Sequence, residues 1–280
     1  MTLMSTFATP CELAHRLPQL LASFMELELH LSRRFREDSL SDLLIASFLQ
    51  LPGLPVSVLT PNEKRTGSDF DLELVDPATS TTIRYRIQAK RLGEPRTSWQ
   101  NRSYHHLAHP NDTGGQVNTL CDLKNLAGPI PTVPLYAFFN NDVVCAASGL
   151  PGIALADAFE IEDHIVTSLG AMPRPFFKRI SSVQHLFFDL AAILCPPTPG
   201  TGRGVATPQE SRDGFDAASR SRGESVLAVL KSRPAPQPGP AQPDQLRALR
   251  ERGRDRRPVP TAAIERPRII VATSDPDATY

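Results

Sequence analysis

The sequence has few of the features that would assign it at once. Among 280 residues there are four cysteines, one tryptophan and four tyrosines, and aromatic residues make up only 6%. Cys11, Cys121, Cys145 and Cys195 form no C-x-x-C pair, which excludes zinc ribbons and redox motifs built on that spacing. Met1–Pro10 carries no basic-plus-apolar leader, so buried or idle thiols in an unsecreted chain are expected. No apolar run approaches the ~18 residues that span a bilayer. The expectation is a soluble, cytoplasmic protein without a membrane partner. Net charge is lacking too, with Lys+Arg 30 against Asp+Glu 30. That argues against a generic polyanion binder, which usually shows a strongly basic footprint, but it leaves room for a local nucleic-acid site.

The zero charge is a sum over unlike parts. Residues 1–199 hold 16 basic and 20 acidic side chains, a net of −4, and residues 200–280 hold 14 and 10, a net of +4. Of the 27 prolines, 13 lie between Pro196 and Pro276. The composition predicts one α/β domain over 10–195 and a Pro/Arg-rich, mostly disordered tail over 196–280, because apolar residues there are too sparse for a core. Ser225–Lys231 and Asp244–Arg252 are candidate transient helices, and the Arg247–Arg257 run is a candidate phosphate contact.

Within the domain, Leu13, Leu17, Leu20, Leu21 and Phe24 recur at helical spacing. Ser39-Leu40-Ser41-Asp42 resembles a capping box, placing a second helix from near Ser39 to before Pro52-Gly53. Val56–Leu59 is a short strand candidate. Residues 92–115 are rich in turn formers and read as a long loop. Gln116–Leu126 reads as a helix, Val133–Asn140 as a strand, and Ile153–Phe159 and Val183–Leu194 as further helices.

The most legible segment is Gly67–Val75 followed by Thr82–Lys90, two runs alternating with period two around Asp76-Pro77. Closing the loop at Pro77–Ser80 fixes the register, with opposed residue numbers summing to 157. Phe70, Leu72 and Leu74 then face Ile87, Tyr85 and Ile83 on one side. Asp69, Asp71 and Glu73 face Gln88, Arg86 and Arg84 on the other, and a one-residue slip would oppose apolar to polar.

Lys90 points the same way as Gln88, so a carboxylate, an amide oxygen and an ammonium meet at one end of the sheet. Such a set suits phosphodiester hydrolysis. Hard oxygens suit Mg²⁺ (or Mn²⁺), and a lysine can orient the attacking water and neutralise developing charge. The same residues also read as an ordinary cross-strand ion pair, Asp69 with Lys90, which is weak where exposed.

Gly67-x-Asp69 on one strand and Gln88-Ala89-Lys90 on the next resemble the PD-(D/E)xK nuclease superfamily. Gln88-Ala89-Lys90-Arg91 is similar to the Q-x-K variant of Mrr-type restriction endonucleases. The resemblance implies a restriction endonuclease-like core (helix, three-stranded meander, helix, strand), here with extra C-terminal helices. It implies a Mg²⁺-dependent endonuclease acting on nucleic acid, DNA in the first instance, in defence against foreign DNA. Asp69, Gln88 and an acidic residue of the first core helix, Glu37, would hold the metal, and Lys90 would complete the catalytic set. Asp38 and Asp42 are alternatives to Glu37. Arg91 and Gln116 are candidate substrate contacts, and a homodimer is an open possibility in such nucleases.

The pattern over 10–195 also resembles an uncharacterised, mostly bacterial family. Its segments here are Arg36–Leu44, Thr66–Asp69, Gln88–Leu92, Gly114–Val117 and Pro134–Asn140. Gln88 supplies no negative charge where restriction enzymes commonly carry a carboxylate. The alternative is therefore a catalytically inactive nuclease-fold module that grips nucleic acid or a protein. His105-His106-x-x-His109 lacks zinc-site spacing to any Cys or carboxylate, and Trp99 and Tyr104 in the same loop are candidate stacking residues.

Overall fold

The computed structural model describes residues 6–29, 31, 35–52, 56–59, 68–93, 98–104, 106–108, 115–171, 176–197, 204–220, 236–254 and 268–274. Gly67, His105, His109 and Ser225–Lys231, singled out above, lie outside them.

The fold is mixed α/β. Seven strands follow one another across a mixed sheet in the order β1-β8-β2-β3-β4-β5-β6. They are β1 Val56–Leu59, β2 Phe70–Asp76, β3 Thr81–Arg91, β4 Thr132–Phe139, β5 Ile153–Asp157, β6 Phe188–Asp189 and β8 Arg268–Ala272. A two-residue strand, β7 Gly239–Pro240, pairs with the start of β3. β2 and β3 form the hairpin derived from the sequence, with Phe70 opposite Ile87, Asp71 opposite Arg86 and Glu73 opposite Arg84. Asp76 holds its turn, accepting from the Ala78 N–H at 3.1 Å and the Thr79 hydroxyl at 2.8 Å. Such local bonds are what make Asp a turn residue.

Alternation along the strands sorts the core into two layers. Phe70, Leu72, Leu74, Ile83, Tyr85, Ile87, Leu135, Ala137 and Leu155 share one cluster. It is covered by α1 Pro10–Glu26, α2 Glu37–Leu49, α8 Ala191–Leu194 and α9 Pro208–Arg220 through Leu13, Leu17, Leu21, Leu40, Leu44, Phe48, Ile193 and Phe215. On the opposite face, Tyr136, Phe138, Ala154 and Ala156 pack under Val117, Leu120, Ile161 and Ile165. These come from α3 Gln116–Leu120 and α6 Ala158–Ala171. Small residues on β5 let α6 approach the sheet.

Several expectations are corrected. The meander is interrupted, because β8 lies between β1 and β2, antiparallel to the first and parallel to the second. Its Ile269, Ile270, Val271 and Ala272 are all buried, as a central strand covered on both faces requires. The tail is therefore not mostly disordered where it is described. Residues 204–220, 239–254 and 268–272 are built into the fold. In α9, Ser211 bonds the Tyr85 hydroxyl at 2.6 Å and donates to the Ile193 carbonyl at 2.6 Å. In α10 Pro243–Arg254, Leu249 packs on Val75 and Ile270.

Ile153–Phe159 is strand rather than helix up to Asp157, because it pairs with β4. A helix, α6, begins only at Ala158. The Val183–Leu194 helix is broken by β6, which pairs with β5. The Gln116–Leu126 helix divides into α3 and α4 Leu123–Leu126 at Asp122, whose side chain caps Lys124. In α2, Ser39 is not a cap. The helix starts at Glu37 behind Arg36, which makes no side-chain cap bond. Two further helices, α5 Asp142–Ser148 and α7 Ile180–Val183, complete the described α-helices, beside four short 3-10 turns. Cys11 and Cys195 are joined in a disulfide rather than idle, while Cys121 and Cys145 form no disulfide. No helix among the described residues is long and apolar enough to cross a membrane.

Candidate active site

Four of the residues singled out in the sequence meet at one end of the β2–β3 hairpin. Asp69 immediately precedes β2, and its N–H donates to the Ile87 carbonyl at 2.9 Å, extending the ladder by one residue. Its Oδ2 accepts from the Gln88 side-chain amide at 2.7 Å and from the Ala89 N–H at 2.6 Å. Lys90, two residues beyond Gln88 and 1% exposed, donates to Glu37 Oε1 at 3.3 Å. The other Glu37 oxygen accepts from the Arg91 N–H at 3.1 Å. One carboxylate therefore enters from the hairpin and the other from the first turn of α2.

Burial raises the Asp69 carboxyl to about 6, against the opposing pull of Lys90 and the Ala89 N–H, and the nearby negative charges of Glu37 and Asp38 add to the rise. Desolvation penalises the ionised form. Desolvation is the main cause and the two other carboxylates the smallest, so the shift reports a buried carboxyl rather than an unbalanced negative charge. Of the alternatives to Glu37, Asp38 faces outward with 73% of its side chain exposed, and Asp42 is exposed.

Gln88 Oε1 is buried without a hydrogen-bond partner among the described residues, at a cost of roughly 1–3 kcal/mol for such an orphan. Two carboxylates and an orphaned amide oxygen are hard oxygen donors, the type that Mg²⁺ or Mn²⁺ takes.

The Arg91 side chain turns away from this set, although its N–H donates to Glu37. The Arg91 guanidinium is paired with Glu28 and only 14% exposed, so its side chain braces the segment after α1 rather than reaching outward. Gln116 is the half-buried first residue of α3. Tyr104 is fully buried, bonded to Asn140 at 2.5 Å, so it cannot stack on a base. His106 is exposed and Trp99 half-buried.

Tyr136 is a site neighbour that the sequence motifs do not single out. It lies beside Gln88 in the parallel β3–β4 ladder, and its hydroxyl is buried with no partner among the described residues. Burial, then the negative fields of Cys121 and Asp69, push its pKa upward. Its only sequence signal is a polar tip in the middle of a largely apolar strand.

Beyond Asp69 the polar face continues inward as buried charge. Asp71 lies 3.6 Å from Arg84 and 3.5 Å from Arg86, and Glu73 accepts from Arg84 Nε at 2.7 Å. Both acids are 0% exposed. Gln245 of α10 donates to the second Glu73 oxygen at 2.7 Å and to Thr82 at 3.2 Å. A buried ion pair is by itself weak evidence of stability, because desolvation offsets its attraction.

Together these features define a mixed α/β protein with an acidic, lysine-bearing cluster at a sheet end. The chain belongs to the family of unknown function DUF6615, whose family model matches residues 10–278. The match runs through α9, α10 and β8, in keeping with their place in the fold. No curated protein and no solved structure matches the chain.

Proposed function

We propose that this protein is a metal-dependent nuclease that hydrolyses phosphodiester bonds in nucleic acid, DNA in the first instance, with a restriction endonuclease-like core. The observation that carries the reading is the convergence of Asp69, Gln88 and Lys90 from adjacent strands with Glu37 from α2. Asp69, Glu37 and the Gln88 amide oxygen would hold Mg²⁺ or Mn²⁺. When bound, the ion supplies Lewis-acid polarisation of a phosphate oxygen and a lowered pKa for water.

The chain's own residues do the rest. Glu37 holds the Lys90 ammonium in place from the first turn of α2, so that its charge is aimed rather than mobile. Aimed charge of this kind stabilises the negative charge that develops on the phosphorus-bound oxygens without reorganisation cost. The Ala89 N–H fixes the orientation of Asp69. Defence against foreign DNA is the biological setting that the Q-x-K pattern suggests.

A second reading is a nuclease-fold module that binds without cutting. It is favoured by the way Gln88 donates to Asp69 and Lys90 donates to Glu37, each pair satisfying itself. Cleavage of plasmid and linear DNA with Mg²⁺ or Mn²⁺ separates the two. Activity in the wild type that Asp69→Ala and Lys90→Ala both abolish supports the nuclease. Retained DNA binding with no cleavage under any metal supports the module.

A further inference from the structure

Cys11 and His15 are one helical turn apart on α1, so their side chains share a face. Cys195, just past α8, is brought against that face, and its Sγ lies 3.5 Å from His15 Nε2. One ligand atom from each of the three residues lies within 4.8 Å of the others. His15 is exposed and both cysteines are half-buried, which leaves them accessible to ions and to small reductants. No residue of this cluster belongs to the Asp69 site.

We propose that Cys11, His15 and Cys195 form a thiolate–imidazole site for one Zn²⁺ ion in the reduced protein, with the Cys11–Cys195 disulfide as its oxidised, metal-free form. Tetrahedral zinc with Zn–S of about 2.3 Å and Zn–N of about 2.0–2.1 Å requires a sulfur-to-nitrogen edge of about 3.6 Å. The His15–Cys195 separation of 3.5 Å already meets it. The sulfur-to-sulfur edge of the same tetrahedron is about 3.8 Å, so the two sulfurs must part before the ion can enter. Metal and disulfide therefore exclude each other.

The exchange balances with a dithiol as reductant. The dithiol gives two electrons and two protons to the S–S bond and leaves as its own disulfide. The ion then displaces the two thiol protons, because thiolates, not thiols, are the ligands. Two soft sulfurs and an imidazole select zinc-like ions over Mg²⁺, so the site does not compete with an all-oxygen centre. Three protein ligands leave the fourth position to water or a small ligand. Either form ties the first turn of α1 to the segment leading into α9.

The test uses the full chain, reduced with a phosphine and then freed of reductant. It is titrated with Co²⁺ alone and followed by the thiolate-to-cobalt charge-transfer absorption, with Zn²⁺ stoichiometry measured after gel filtration. The site predicts one ion per reduced chain, the sulfur band present, and no band in the disulfide form. Cys11→Ser removes the band. His15→Ala, an exposed substitution that leaves the fold intact, weakens binding by about tenfold or more. Asp69→Asn leaves the band unchanged, which separates this site from the proposed nuclease centre. A reduced wild type without the band, or the same band in Cys11→Ser, overturns the proposal.

Discussion

Lys90 Nζ and Glu37 Oε1 lie 3.3 Å apart although 53 residues separate them in the chain. The pair joins the end of the hairpin to the start of α2 and holds an ammonium beside Asp69. Lys90→Met keeps most of the buried volume and removes the charge. If the ammonium stabilises developing charge, kcat falls about 10²–10³-fold while circular dichroism and the melting profile stay close to wild type. Single-turnover cleavage kinetics measure it.

Asp69 provides a linkage test. Its folded-state pKa of about 6 lies above the ordinary aspartate value of 3.8, so between these values the folded state binds more protons than the unfolded state. The folded protein therefore loses stability as pH rises from about 4 to about 6, and the loss persists above that window. Asp69→Asn removes the ionised group and raises stability at pH 7 by about 1–3 kcal/mol, with activity abolished. Urea unfolding at pH 4.5 and pH 7 measures both the size and its pH dependence. If Asp69 holds a divalent ion as proposed, the same carboxyl must ionise to bind it, so Mg²⁺ affinity is expected to weaken below about pH 6, with a proton released on binding there.

Tyr136→Phe removes a buried hydroxyl that has no partner among the described residues. The substitution is expected to leave stability unchanged or raise it by up to about 1 kcal/mol, since an unsatisfied polar atom is removed without a cavity. Thermal unfolding decides it. A clear loss of stability would mean that the hydroxyl is bonded, for instance to a buried water.

The C-terminal third can be tested by substitution. A Cβ at Gly214 would come 2.0 Å from the Ala192 carbonyl oxygen, so Gly214→Ala forces α9 away from α8 and costs about 1–3 kcal/mol. Gln245→Leu leaves a buried Glu73 oxygen without its α10 donor and costs about 1–3 kcal/mol. A disordered tail would tolerate both substitutions. Loss of stability in both places α9 and α10 within the folding unit.

The hairpin is legible in the sequence because strict alternation leaves one register. That register alone sets Asp69 beside Gln88 and Lys90 on one face. Glu37 is reachable only through the family resemblance, which implies an acidic residue on the first core helix, and its pairing with Lys90 depends on the packing of α2 and is not encoded locally. The C-terminal strand is not legible. Arg268–Ala272 is a β-branched run, but five residues within a Pro/Arg-rich stretch give no periodicity, and its pairing with β1 and β2 is long-range. The composition average hides it. Ile153–Asp157 misleads for a related reason, since a short apolar run bordering a real helix cannot be told from that helix by pattern alone. Tyr136 is illegible because a parallel ladder sets its neighbour, and parallel registers depend on crossovers rather than on a turn.

The most direct test of the central claim is metal-dependent cleavage of supercoiled and linear DNA by the full chain, beside Asp69→Asn and Lys90→Met. The account predicts Mg²⁺- or Mn²⁺-dependent cleavage by the wild type, lost on chelation and in both variants, with the variants folded. Cleavage equal in all three proteins, or no cleavage by a folded, metal-loaded wild type, would contradict it.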